Sequence, residues 1–188
     1  RGAEPRYWED VELGQELEPV IKGPLNMTDM FAWYAGALGG GALGRGGAHI
    51  FGVRYRRRHE AWSYVDPETG VIEKPEMVHE ADSMASEIGI PLAYDLGTQR
   101  MSWLGNLLTN WMGDDGFLKK FYGELRLFNM LGDTTWCKGK VTNKYIEGGE
   151  HLVDCQIWCE NQRGKITAPG RATVVLPSKS VDFPPRSP

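Results

Sequence analysis

Three things are scarce in this sequence, and each scarcity excludes a class of function. Cysteine is the first, with only three among 188 residues. No two of them have the C-x-x-C spacing of a zinc or redox site. Cys155 and Cys159 fall on one expected strand, about 13 Å apart at 3.3 Å per residue, which is beyond disulfide reach. Cys137 could approach one of them across a hairpin, but burial as a small hydrophobe is the expectation, as suits a reduced compartment. Excess positive charge is the second: 21 Lys and Arg face 25 Asp and Glu, a net charge of −4. A general nucleic-acid binder needs a basic footprint, so no nucleic-acid partner is expected. Long apolar runs are the third. No stretch approaches the roughly 20 residues that cross a bilayer, and no signal-like segment is read. No membrane partner is expected, and the expected location is cytoplasmic.

Phosphate loops are missing too. Glycine dominates residues 36–47, but no strand–GxGxxG–helix context and no GxxxxGK[ST] pattern accompanies it. The run is either a flexible loop or a backbone that closely approaches a ligand. His49 follows it and is a candidate for the same ligand site, with a plain loop histidine as the alternative. Arg54 to His59, RYRRRH, is either a solvated helix face or a patch for an anionic ligand tail.

What is present is an ordinary globular composition, 41% hydrophobic, enough for one domain with a sizeable core. The ordered core is expected over residues 7–176, with an extended tail at 177–188. The most helix-like stretch is Ala93 to Gly113. Met101, Leu104, Leu108 and Trp111 recur at steps of three and four, and Trp103 and Leu107 widen the stripe. That pattern marks a helix covered on most of its sides. Asp95 is a candidate N-cap, and Gly113 marks the end.

Around this helix the chain reads in order. A short strand ends near Ile21. Asn26 and Asp29 resemble a capping box, opening a helix with Met27, Met30, Phe31 and Tyr34 on one face. A second helix carries Met84, Ala85 and Ile88 on one side and stops at Gly89. The C-terminal third changes to period two, with strands at 134–146, 151–161 and 171–176. Val153, Cys155, Ile157 and Cys159 alternate with Asp154, Gln156, Trp158 and Glu160. Gly148-Gly149 and Arg163-Gly164 supply the turns. A lone apolar helix and a sheet with one apolar face solve each other's problem when the sheet wraps the helix.

Phe121 to Tyr145, FYGELRLFNMLGDTTWCKGKVTNKY, and Glu160 to Pro177, ENQRGKITAPGRATVVLP, resemble the C-terminal half of MaoC-like dehydratases and R-specific enoyl-CoA hydratases. Tyr7 to Gly36 is similar to their opening strand and helix. Leu131-Gly132-Asp133-Thr134 and Asn161-Gln162-x-Gly164 are the more specific motifs. His79-x-x-x-x-x-Ala85-x-x-x-Gly89 matches the spacing that follows the family's catalytic histidine. The resemblance implies an α+β hotdog fold: an antiparallel sheet around a central helix at about 92–112, with an insertion at about 37–72. It also implies reversible addition of water to a 2-enoyl-CoA thioester, without metal or redox cofactor. The family motif Asp-x-Asn-Pro-x-His is not kept, because Lys74 stands five before His79 and Pro75 four before it.

That chemistry needs a base for water, an acid for the α-carbon, and donors for the enolate-like oxygen. His79 is the candidate base, against the plain reading of a surface or capping histidine. Asp82 and Asp95 are the candidate carboxylates, with a cap role as the other reading of Asp95. Gly97 and Thr98, at the start of the central helix, are the candidate oxyanion donors. Arg100 either pairs with an acid or ligand or lies on the polar face. Displacement of the acid also admits a non-catalytic subunit that completes an active hotdog partner; a thioesterase ranks behind both. A homodimer or hetero-oligomer is expected, with Trp136 and Trp158 on an exposed second surface.

Overall fold

The computed structural model describes residues 4–37, 54, 55, 57–59, 61, 63–66, 69–73 and 75–180. His49, Lys74 and most of the expected insertion lie outside the described residues. The chain divides into two compact units: Arg1–Gly23, Gly97–Phe128 and Asp133–Pro188 form one, and Pro24–Leu96 with Asn129–Gly132 the other.

The first unit holds the sheet and the long helix. Strands β1 (Glu16–Lys22), β4 (Phe117–Gly123), β5 (Thr135–Glu147), β6 (Glu150–Asn161) and β7 (Ile166–Val175) form one sheet in the order β1-β5-β6-β7-β4. Every neighbouring pair is antiparallel. The helix, Gly97–Met112, packs against β1, β4, β5 and β6. It begins five residues later than the expected boundary at 92. Its buried apolar residues are Leu104, Leu107, Leu108, Trp111 and Met112, and they meet Cys137, Val153, Cys155, Ile157, Cys159, Ala172 and Val174 from the sheet. The period-two pattern on β6 therefore points inward as expected.

The strands differ from the sequence expectation at two places. β4 is not among the expected strands: its register shifts between Leu118 and Lys120, and its burial follows no clean alternation. β7 begins five residues before the expected 171. Pro169 and Gly170 stand inside it: Pro169 pairs with Trp158, and its carbonyl accepts the Glu124 N–H at 2.9 Å. An acceptor is all that contact requires, so a residue without an N–H is tolerated. Trp136 and Trp158 are half-buried rather than exposed. The start of the expected tail is held in place: the Pro177 carbonyl accepts the Trp8 N–H at 2.8 Å, and Ser178 is buried.

The second unit contains the helix Met27–Ala37, the small hairpin β2 (Tyr64–Val65) and β3 (Ile72–Glu73), a 3-10 turn Pro75–His79 and the short helix Asp82–Glu87. These helices are labelled in order of sequence α1 (Met27–Ala37), α2 (Asp82–Glu87) and α3 (Gly97–Met112). The capping box at α1 forms reciprocally: the Asn26 N–H donates to Asp29 and the Asp29 N–H to Asn26, at 3.1 and 3.0 Å. Only Met30 is buried on α1, and Phe31 is 55% exposed. Met84 and Ala85 are buried on α2, whereas Ile88 sits at the C-cap and faces solvent. Gly89, at φ +83°, closes α2 with the Ile90 N–H on the Ala85 carbonyl and the Gly89 N–H on the Ser86 carbonyl. That double bond is a Schellman closure, which glycine alone enters without strain. Among the described residues no helix is long and apolar enough to cross a membrane.

Candidate active site

The second unit fixes its histidine through backbone. Ala93, Tyr94 and Asp95 run antiparallel to residues 129–131. The Leu131 N–H donates to the Ala93 carbonyl and the Asp95 N–H to the Asn129 carbonyl, both at 2.9 Å, and Tyr94 bridges Met130. From the other side, Asp82 Oδ1 accepts the Ala93 N–H at 2.8 Å. Asp82 thus ties the start of α2 to this strand-like segment, although it is itself exposed.

The segment so pinned presents one carbonyl to His79. His79 Nδ1 lies 2.9 Å from the Tyr94 oxygen. A carbonyl only accepts, so Nδ1 carries the proton and the neutral ring keeps its lone pair on Nε2. The Tyr94 ring meets the imidazole edge-on, with centroids 4.6 Å apart. Together the bond and the ring contact hold one tautomer in one orientation. Among the described residues Nε2 has no hydrogen-bond partner.

Burial pushes the His79 pKa below 6.5, against the opposing pull of the Tyr94 bond and of Asp95, Glu76 and Glu80. The desolvation of a charged ring outweighs those attractions, and at neutral pH the imidazole is an uncharged base. Asp95, 2% exposed, is the carboxylate that favours the charged ring most. The ring's hydrogen bond nevertheless goes to a carbonyl. Sequence reasoning missed Tyr94, because the group it contributes is a main-chain oxygen that no side-chain pattern marks.

In the first unit, the remaining candidates cluster at the start of α3. Gly97 is the first helical residue and Thr98 the second. A Cβ at Gly97 would stand 2.3 Å from Leu125 Cδ1, so the missing side chain makes room for Leu125. Thr98 is exposed. Arg100 is not on a polar face: it is 3% exposed, and its Nη1 donates to the carbonyls of Leu127 at 2.6 Å and Thr167 at 3.2 Å. It clamps the helix to the segment after β4 and to β7.

The two more specific motifs meet as a structural lock. Asp133, 4% exposed, accepts Gln162 Nε2 at 2.7 Å and both of its oxygens accept Arg163 Nη2 at 2.8 Å. Gln162 also accepts the Thr134 N–H at 3.0 Å. This joins the start of β5 to the β6–β7 turn and leaves no reactive group free. The cysteines are inert as well: all three are buried and form no disulfide, and burial pushes the Cys155 thiol up to about 12.

No family model matches the sequence, and no curated protein is similar to it at a significant level. Solved structures do match. R-hydratase PhaJ1 from Pseudomonas aeruginosa has a TM-score of 0.64 at 15% identity, over 98% of this chain and 97% of its own. A MaoC-like dehydratase has a TM-score of 0.62 at 16% identity, over 93% of this chain and 43% of its own. The ChsH1-ChsH2 complex from Mycobacterium tuberculosis has a TM-score of 0.58 at 13% identity, over 88% of this chain and 98% of that one. A five-stranded antiparallel sheet wrapped on one long helix, with those likenesses across nearly its whole length, gives this chain the α+β hotdog fold seen in R-hydratases and MaoC-like dehydratases.

Proposed function

We propose that this chain belongs with the MaoC-like hydratases and adds water reversibly across the double bond of a 2-enoyl-CoA thioester. One observation carries the reading: an uncharged, oriented imidazole whose Nε2 lone pair is left available by the Nδ1 bond to Tyr94. Nε2 takes a proton from water as the water oxygen bonds to C3. The π electrons move toward C2 and the thioester carbonyl, giving an enolate. The imidazolium then returns its proton to C2, restoring neutral His79. The buried charge of Asp95 favours the imidazolium in between. Asp82 acts as a positioning residue through Ala93. Gly97 and Thr98 keep their place as sequence candidates for the donors to the enolate oxygen, where preorganised N–H groups act most strongly. Arg100 is assigned to the scaffold, and His49 keeps its place only as a sequence candidate for the substrate.

The test is loss of enoyl-thioester absorbance over a panel of acyl-CoA chain lengths. Turnover supports the reading; none at any length, alone or with a partner chain, overturns it. A second reading has its own support. Lys74 occupies the motif's acid position and the ring's bond goes to a carbonyl, as suits a subunit that completes an active hotdog partner. The ChsH1-ChsH2 neighbour is a complex of two named chains. Inactivity alone with activity on co-expression favours that reading; full activity as a homo-oligomer excludes it.

A homodimer or hetero-oligomer is supported by β4. It ends the sheet, and Phe117, Tyr122, Leu125, Leu127 and Phe128 on and after it are 63, 45, 53, 48 and 45% exposed. An open apolar edge of this kind invites pairing. Monomeric light scattering at micromolar concentration would contradict it.

A further inference from the structure

Buried polar atoms without partners are uncommon, since each has given up its water for nothing. Gln99 Oε1 is one. The residue is 4% exposed, and its carboxamide oxygen has no donor among the described residues. Gln99 is the third residue of the 16-residue helix α3. A glutamine at this position commonly reaches back to the N–H at the cap, closing a capping box; here the oxygen makes no such bond. Helical side chains lean toward the N-terminus, so the carboxamide is directed over the first turn. The N–H groups of that turn are the ones a helix leaves without internal acceptors. The surroundings are fixed, with Leu125 filling the space beside Gly97 and Arg100 clamped on two carbonyls.

Several donors and one buried acceptor therefore lie within a single helical turn, about 5.4 Å. The complementary ligand has an acceptor and a hydroxyl or N–H donor a few bonds apart. A 3-hydroxyacyl thioester has that pair, its carbonyl and its 3-hydroxyl. The 2-enoyl and saturated thioesters have the carbonyl alone.

We propose that Gln99 is a specificity-determining residue whose Oε1 accepts the 3-hydroxyl hydrogen of a 3-hydroxyacyl thioester held at the start of α3. This rests on the acyl-thioester function proposed above. It makes the chain a preferential binder of the hydrated form, while the overall reaction equilibrium is untouched. A site that satisfies a hydroxyl discriminates against ligands lacking it, because its own polar atom is then stranded.

The test is titration calorimetry of the full chain with 3-hydroxyacyl-CoA and saturated acyl-CoA of equal length, in a His79→Ala background that leaves the ligand unconverted. The hydroxylated ligand is expected to bind roughly five- to a hundredfold more tightly. Gln99→Met, of similar volume, should erase that preference and leave the saturated ligand's affinity within about twofold. Gln99→Glu, which keeps an acceptor, should retain it. Equal affinities for the two ligands in the Gln99 chain overturn the inference alone. Binding of neither ligand to the wild-type chain overturns the acyl-thioester function and this inference with it. The ligand comparison in the Gln99 chain decides the matter even where a Gln99 variant fails to fold.

Discussion

His79→Asn separates the two jobs assigned to one ring. The asparagine amide nitrogen stands near the place of Nδ1 and can still donate to the Tyr94 carbonyl, a bond of 2.9 Å in the native chain. What it lacks is any equivalent of Nε2. If Nε2 is the base, kcat for enoyl-CoA hydration should fall by about 10²- to 10⁴-fold, the usual worth of a positioned base. That is about 2.7–5.5 kcal/mol of barrier. KM should stay within about threefold, because the lost contact belongs to the transition state. Stability should change little, since the carbonyl keeps its donor: about 0.5–1.5 kcal/mol for the lost contact with the Tyr94 ring. His79→Ala removes that contact and the hydrogen bond, so about 1–3 kcal/mol is expected in denaturant unfolding. Activity is followed by enoyl absorbance and stability by circular dichroism. An Asn variant that keeps kcat within about threefold of the native chain would refute the assignment of the base.

Four further outcomes are expected. Burial sets the His79 pKa below 6.5, and the neutral ring is the active one, so kcat/KM should fall on the acid side through a value under 6.5 and the limb should vanish in His79→Asn. Stability follows the same sign: between 6.5 and the lower folded value the unfolded chain binds the proton first, so this contribution is complete above 6.5 and declines as pH falls through that window. Asp95→Asn removes the carboxylate that most favours the charged ring and should shift the acid limb further down. Arg100→Met strands the carbonyl of Leu127, whereas that of Thr167 keeps the N–H groups of Arg126 and Leu127, and a cost of about 1–3 kcal/mol is expected in thermal or urea unfolding. Gly170→Ala drives a Cβ to 2.5 Å from the Tyr122 carbonyl oxygen, a backbone collision, and should cost about 1–3 kcal/mol or more. Gly97→Ala meets only the tip of the half-exposed Leu125 and should cost less than about 1 kcal/mol, so equal melting losses in the two variants would refute that contrast.

The readable parts of the chain are those where local chemistry and tertiary context agree. The α3 stripe was legible because burial repeats every three to four residues, and β6 because burial there alternates from Val153 to Asn161. The Asn26–Asp29 box and the Gly89 closure were legible because a cap is satisfied by residues only a few positions away. β4 and the first half of β7 were not, since a register shift and a Pro-Gly pair are tolerated only in the presence of specific neighbouring strands. Phe31 and Ile88 fit an apolar helical pattern yet face solvent, because periodicity shows that a face is apolar and not whether anything covers it.

His79 illustrates the division at the candidate site. Its spacing to Ala85 and Gly89 singled it out from sequence, although Lys74 stands where the family motif has its acid. The sequence by itself determined the fold class, the central helix, the inward face of the sheet and the histidine to examine. Tertiary structure alone decided the tautomer of that histidine, the use of Asp82 as a staple, the burial of Arg100 on carbonyls and the stranded oxygen of Gln99. The first three rest on main-chain groups brought together from separate parts of the chain, and every residue carries the same main-chain groups, so side-chain identity does not reveal where they meet; the fourth rests on burial, which side-chain identity does not reveal either.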